Sequence, residues 1–264
     1  MSEKPSNLKI LFVGNSFAED TAEHAVSVAL SMGIKDIKVG VLYVGGCPIE
    51  RHYAHIMDDV PAYLYHLNEG NGWDSTPNFK ISDALKSDEW DWVVIQHGTN
   101  GGNRYTSVEC YEKLSPLIAE VKRAQPRAKI GFNLTWMGES NYNHHEIVSY
   151  GGDVKLMREK LIEVTKAVLS ANTEIDLLIP TGTAVENARS SKTGLWTRDG
   201  YHLSLDRGRY VAALTLICAL SGIDPEAVSW QPDGVDEYSK RVVIEAVRAA
   251  LNSPFEITPV HALP

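Results

Sequence analysis

The sequence predicts an α/β fold, a three-layer α/β/α sandwich around a mostly parallel, five-stranded sheet. Three observations carry this expectation. Short apolar runs alternate with stretches of helical periodicity in the order β-α-β-α-β-α-β-α-β, the pattern of crossover units around a parallel sheet. The 264 residues show no composition shift, internal repeat or low-complexity tract, so they read as one domain with a core from about 8 to 251. Three predicted strands end in glycine or small polar residues: Gly14-Asn15-Ser16, Gly45-Gly46 and Gly98-Thr99-Asn100. In a parallel sheet these ends share one edge, where open α/β sheets hold their ligands.

Taken in order, Ile10 to Val13 is a buried strand bounded by Gly14 and Asn15, and Ser16 follows at its C-terminal end. Asp20 and Glu23 form an acidic variant of the capping box, and Ala22, Ala25, Val26 and Ala29 recur at helical spacing until Gly33. Ile37 to Val44 is the second strand, followed by a helical stretch near Ile49 to Leu67 and a loop from Asn68 to Phe79. A short helix at Ser82 to Ser87 leads to the strand Trp92 to Gln96, and Ser107 to Ala124 is helical. Lys129 to Leu134 is the fourth strand, and a polar, aromatic loop from Ser140 to Asp153 is long enough to rim a substrate site. Val154 to Ala171 is a helix, Asp176 to Ile179 the fifth strand and Thr183 to Arg189 another helical turn or two. After the run Asp199-Gly200-Tyr201-His202, Arg209 to Leu220 and Val235 to Leu251 close the chain as helices.

Composition excludes several classes of function. With 25 basic against 34 acidic residues, the formal charge is −9, and no basic block could track a phosphate backbone, so no nucleic-acid partner is expected. No run approaches a membrane span and the N-terminus lacks the apolar core of a signal peptide, so the expected location is cytoplasmic and no membrane partner is expected. Cys47, Cys110 and Cys218 are odd in number and widely spaced, which points to buried thiols rather than a disulfide framework or a zinc site. His52 and His55 on a helix, and His144, His145 and Glu146 in the long loop, supply no recognised metal spacing, so no metal and no cofactor are expected.

The chemistry concentrates at the shared strand edge. Acyl transfer to a serine needs a base for its proton, a carboxylate to orient that base, and donors for the developing oxyanion. Ser16, His202, Asp199 and the glycine-rich strand ends provide those residue types. The nucleophile elbow of α/β-hydrolases is absent, because Ala18 stands where GxSxG requires glycine and the acid lies only three residues before the histidine. Ser16 also fits a helix N-cap, and Asp199 and His202 also fit a capping acid and a surface histidine. Trp136 fits either a sugar platform or the core.

These four blocks together resemble the SGNH (GDSL-type) hydrolase superfamily, and in particular its members with GNS in place of GDS. The likeness runs from Ile10 to about Leu220 and implies a flavodoxin-like sandwich. It further implies Ser16 as nucleophile, His202 as base and Asp199 as its orienter. The oxyanion hole would combine the backbone N–H groups of Ser16 and Gly46 with the side chain of Asn100. Asn15 departs from the usual Asp of the first block, and Gly101 stands where an Asp commonly follows the third-block Asn. The resemblance implies an esterase. The Trp, Tyr, Asn and His content of the site loops points to a short acyl group, foremost acetyl, on a small-molecule or oligosaccharide substrate. A lipid-directed esterase or thioesterase and a non-catalytic carbohydrate-binding protein are the alternatives.

Overall fold

The computed structural model describes residues 5–97, 106–139, 150–191 and 194–260. Each of the five predicted strands is present: β1 (Asn7–Gly14), β2 (Asp36–Tyr43), β5 (Trp92–Gln96), β6 (Lys129–Asn133) and β7 (Leu177–Ile179). They run parallel, and two further strands, β3 (Tyr63–Asn68) and β4 (Trp73–Phe79), extend the sheet antiparallel beyond β2. The order is β4-β3-β2-β1-β5-β6-β7, seven strands rather than the expected five.

The extra hairpin corrects the reading of Ile49 to Leu67 as one helix and of Asn68 to Phe79 as a loop. The helix ends early, as α3 (Ile49–Met57), because the chain turns through Asp59 at a φ of 50° and then meets Pro61, which cannot continue a helix. Tyr63 to Asn68 then pairs with β2. Strand β4 gives no apolar alternation because it is the sheet edge: Asp74 to Asn78 are exposed and Pro77 is tolerated where no further strand needs its N–H.

Helices cover both faces. One layer holds α1 (Ser16–Ala22), α2 (Ala25–Ser31), α7 (Thr181–Arg189), α8 (Arg207–Ser221) and α9 (Glu237–Asn252), packed on Ile10, Phe12, Val39 and Val94. The other holds α3, α4 (Ile81–Lys86), α5 (Leu114–Ala124) and α6 (Val154–Ala171), packed on Leu11, Val13, Val93 and Ile95. Alternate residues of β1 and β5 thus feed opposite cores, so these strands read as unbroken apolar runs. Register places Gly14 opposite Tyr43 and Val13 opposite Ile95, which brings the ends of β2, β1 and β5 to one edge. No described helix is long and apolar enough to cross a membrane.

Two polar side chains sit deep in the second layer. His97, fully buried after β5, has Nε2 3.0 Å from Thr165 Oγ1. His52 has Nδ1 2.9 Å from Tyr63 Oη. Burial pushes both imidazoles down to about 3. The unfolded chain, with histidines near 6.5, therefore binds more protons at acid pH than the folded one. Their contribution to stability is complete above about pH 6.5 and is lost as pH falls toward 3, by roughly 2 kcal/mol per histidine between pH 7 and pH 5. Guanidinium denaturation across that range should show this loss, with a shallower slope in His97→Gln; equal slopes would show that His97 is not held neutral.

Candidate active site

Ser16 is the first residue of α1, and the helix geometry decides what its groups are free to do. The N-cap is Asn15, whose Oδ1 accepts the N–H of Phe17 at 3.0 Å. The capping reading of Ser16 is therefore displaced by one residue. Its hydroxyl is released from capping, and its N–H lies among those a helix start leaves without an intrahelical acceptor. Asn15 is fully buried and does more than cap. The same Oδ1 accepts from Gln96 Nε2 at 2.7 Å, and its Nδ2 donates to the Cys47 carbonyl at 3.4 Å. One amide thereby ties together the ends of β1 and β5 and the turn after β2. An aspartate could not make the donor half of that arrangement, which gives the departure from GDS a physical role.

His202 Nε2 lies 3.1 Å from Ser16 Oγ, and Asp199 Oδ2 lies 2.6 Å from His202 Nδ1. A carboxylate at that distance holds the proton on Nδ1 and leaves Nε2 to accept from the serine hydroxyl. Asp199 Oδ1 also accepts the N–H groups of Tyr201 at 2.9 Å and His202 at 2.7 Å, so the three-residue spacing closes as an Asx turn. Partial burial pushes the Asp199 carboxyl up, but the bonds from the His202 ring and these two backbone donors outweigh it and hold it below the usual range. The helix cap after this run is Asp206, not Asp199.

The loop carrying Asp199 and His202 is a small hairpin. Thr197 and Leu203 bridge antiparallel, Arg198 N donates to the His202 carbonyl at 2.9 Å, and Ser204 N donates to the Trp196 carbonyl at 2.9 Å. Four sets of contacts orient it. Asp20 on α1, fully buried, accepts Arg198 Nη1 at 2.9 Å and Arg209 Nε at 2.8 Å on one oxygen and the Leu203 N–H at 2.8 Å on the other. Trp136 Nε1 donates to the Tyr201 carbonyl at 2.7 Å, and Glu139 N donates to that of Gly200 at 2.7 Å. Phe17 packs edge-on against Trp136 at 4.6 Å and beside Tyr201 at 5.1 Å. Finally, α8 approaches so closely that a Cβ on Gly208 would lie 2.4 Å from the Trp196 carbonyl oxygen.

One expectation is corrected here and one open reading is decided. Asp20 and Glu23 do not start a helix, since α1 begins at Ser16 and breaks at Glu23–His24. The pattern of an acid before an apolar repeat conceals a buried ion pair that only folding forms. Trp136 is fully buried and positions the loop instead of facing substrate. Gln96, Arg198, Arg209 and Glu139 gave no sequence signal as site residues, because their partners lie far away along the chain.

Gly46 sits in the turn after β2, where Cys47 N donates to the Val44 carbonyl, and its φ of 57° is the left-handed value glycine suits. That turn is tied through Cys47 to Asn15, the residue before Ser16. Cys47 and Cys218 are buried and Cys110 is half-buried; burial pushes the Cys47 thiol up to about 12, so it is no nucleophile. Asn100, the third expected oxyanion donor, lies outside the described residues, as do His144, His145 and Glu146.

Removing the Asp20 carboxylate takes the buried partner from two guanidinium groups, leaving Arg209 with Glu23 at 3.3 Å and Arg198 with the Leu203 carbonyl, and strands the Leu203 N–H. Asp20→Ala should cost about 3–5 kcal/mol in urea denaturation, the scale for breaking a buried pair from one side. A loss below about 1 kcal/mol would show that the pair does not hold the loop.

A family profile for DUF4886, described as a domain of unknown function, matches residues 9–250. The crystal structure of a DUF4886 family protein from Bacteroides uniformis superposes with a TM-score of 0.90 at 28% identity, over 96% of this chain and 98% of that one. A protein from Slackia heliotrinireducens, provisionally classed as an SGNH hydrolase, gives 0.54 at 21% identity over 81% and 99% of the two chains. A catalytic mutant of an acetylxylan esterase from Geobacillus stearothermophilus gives 0.54 at 15% identity over 83% and 96%. At such identities the last two share the fold. No curated protein matches the sequence. The chain belongs to the DUF4886 family and has the fold of the SGNH hydrolases.

Proposed function

We propose that this protein is a serine esterase that removes short acyl groups, foremost acetyl, from a carbohydrate. The observation that carries the proposal is the unbroken line from Asp199 Oδ2 through the His202 ring to Ser16 Oγ, with spacings of 2.6 and 3.1 Å. In the reaction, Ser16 Oγ attacks the ester carbonyl carbon while His202 Nε2 takes its proton. The negative charge moves to the carbonyl oxygen, where the Ser16 and Gly46 N–H groups and the Asn100 side chain act as donors. Collapse breaks the carbon–oxygen bond to the sugar, and His202 returns the proton to the departing alkoxide. Water, deprotonated by His202, then splits the acyl-enzyme and restores Ser16. Asp199, ionised throughout, stabilises the transient imidazolium. No step requires a cofactor.

The carbohydrate half of the proposal rests on polar and aromatic residues near the site, and on the acetylxylan esterase that shares the fold. A lipid-directed esterase would need a continuous apolar wall beside Ser16, whereas the neighbouring half-exposed residues include Glu19, Tyr43 and His66.

Turnover of para-nitrophenyl acetate provides the test. Ser16→Ala and His202→Ala should each lower kcat by roughly 10⁴-fold or more, and the two together should cost no more than either alone. Full activity in both single variants would remove the triad. Asn100→Ala should lower kcat by about 10²- to 10³-fold if it donates to the oxyanion. An unchanged kcat would remove Asn100 from the hole. A preference for long acyl chains over acetyl would favour the lipid-directed alternative.

A further inference from the structure

The antiparallel hairpin β3–β4 adds a surface beside Ser16 that the catalytic machinery does not use. Its residues Leu64, His66, Asn68, Trp73 and Ser75 point to the same sheet face as α1, because His66 pairs with Val41 and Ser75, and Trp73 with Asn68. On α1 the half-exposed positions are Ser16 and Glu19, three apart and therefore on one face, between buried neighbours. Glu19 Oε1 lies 3.4 Å from His66 Nε2, and Ser75 Oγ lies 2.7 Å from His66 Nδ1. Tyr43 closes the gap between helix and hairpin. It pairs with Gly14, and its hydroxyl lies 3.3 Å from where a Cβ on Gly45 would be, beside the proposed oxyanion donor Gly46. From Tyr43 the rings continue along the shelf, to His66 at 6.1 Å and from there to Trp73 at 6.5 Å.

We infer that this shelf, with Tyr43, His66 and Trp73 as its floor and Glu19 as its wall, binds the sugar portion of the ester whose acyl carbon faces Ser16. The inference rests on the esterase reading and specifies where its leaving group lies. A pyranose has an apolar face of C–H groups and a polar rim. Half-exposed aromatic rings match the former, and Glu19, the Tyr43 hydroxyl and Ser75 can bond the latter. The ring centroids lie 6.1 and 6.5 Å apart with planes inclined at 55° and 86°, so the rings meet a saccharide one at a time, by face or by edge, and not as one flat platform. With the Glu19 carboxylate as wall, next to His66 at 3.4 Å, the shelf suits a neutral polyol better than an anionic headgroup. Burial pushes the Tyr43 phenol up, and the Glu19 charge adds to it, in keeping with their proximity.

The experiment compares acetylated xylobiose with para-nitrophenyl acetate, which has no sugar to place on the shelf. Trp73→Ala should raise KM for the sugar ester about tenfold more than KM for the aryl ester, and Glu19→Gln should do so several-fold. Equal effects on both esters, in variants whose circular dichroism matches wild type, would overturn the shelf. If wild type cleaves neither ester, the esterase reading fails on its own, and titration with unacetylated xylotetraose decides the shelf. Tryptophan fluorescence quenching in wild type that is lost in Trp73→Ala supports it, and the absence of binding by wild type overturns it.

Discussion

The buried carboxylate of Asp20 is the constraint on which the site depends. It sits on the helix that begins with Ser16, and its partners Arg198, Leu203 and Arg209 hold the loop that presents His202. A carboxylate without solvent is stable only when charge and hydrogen bonds surround it, so helix and loop are bound to one relative position. Much of the 3.1 Å between Ser16 and His202 is therefore set about one helical turn away from Ser16 itself. The reacting groups can stay half-exposed and open to substrate because the group that aligns them is buried.

Asn15 performs the corresponding task for the strand ends. By capping α1 it leaves the Ser16 hydroxyl and N–H uncommitted, and by bonding Gln96 and the Cys47 carbonyl it draws in the ends of the two flanking strands. Both amide faces are used, one accepting and one donating. In the proposed reaction such preorganisation would serve oxyanion stabilisation, because donors already aimed need no rearrangement when charge develops. Aromatic packing of Phe17 between Trp136 and Tyr201 joins the two arrangements into one body.

The parallel centre and the antiparallel edge of the sheet divide the work. Crossover strands β1, β2 and β5 bring Ser16, the Gly46 turn and Gln96 to their C-terminal ends, where open α/β sheets hold ligands. The hairpin beyond β2 brings no group to the reacting atoms, yet it widens the surface next to Ser16 with rings and a polar rim. Such additions at an edge cost the central core nothing, since β4 is exposed and its loss of pairing is limited to one neighbour.

How far the sequence could be read follows from the range of each interaction. The five central strands and most helices were legible, because apolar periodicity and strand-end glycines are local signals. That Asp199 and His202 meet Ser16 was an expectation from the family resemblance, and the contacts of 2.6 and 3.1 Å bring the three together. The hairpin was not legible. Its inner strand follows a helix without a clear apolar break, and its outer strand, exposed on the sheet edge, carries no alternation. The single helix expected from Asp20 and Glu23 was a local pattern overridden by ion pairing to residues about 180 positions away. The sequence by itself determined the layers, the order of the blocks around Ser16, Gly46, Asn100 and Asp199–His202, and the residue types that the proposed acyl transfer needs. Tertiary structure alone decided that Asn15 caps the helix in place of Ser16, that Asp20 anchors the histidine loop, and that Trp136 is core. Each of these depends on which distant group arrives to pair with a buried polar atom, and no local pattern encodes that.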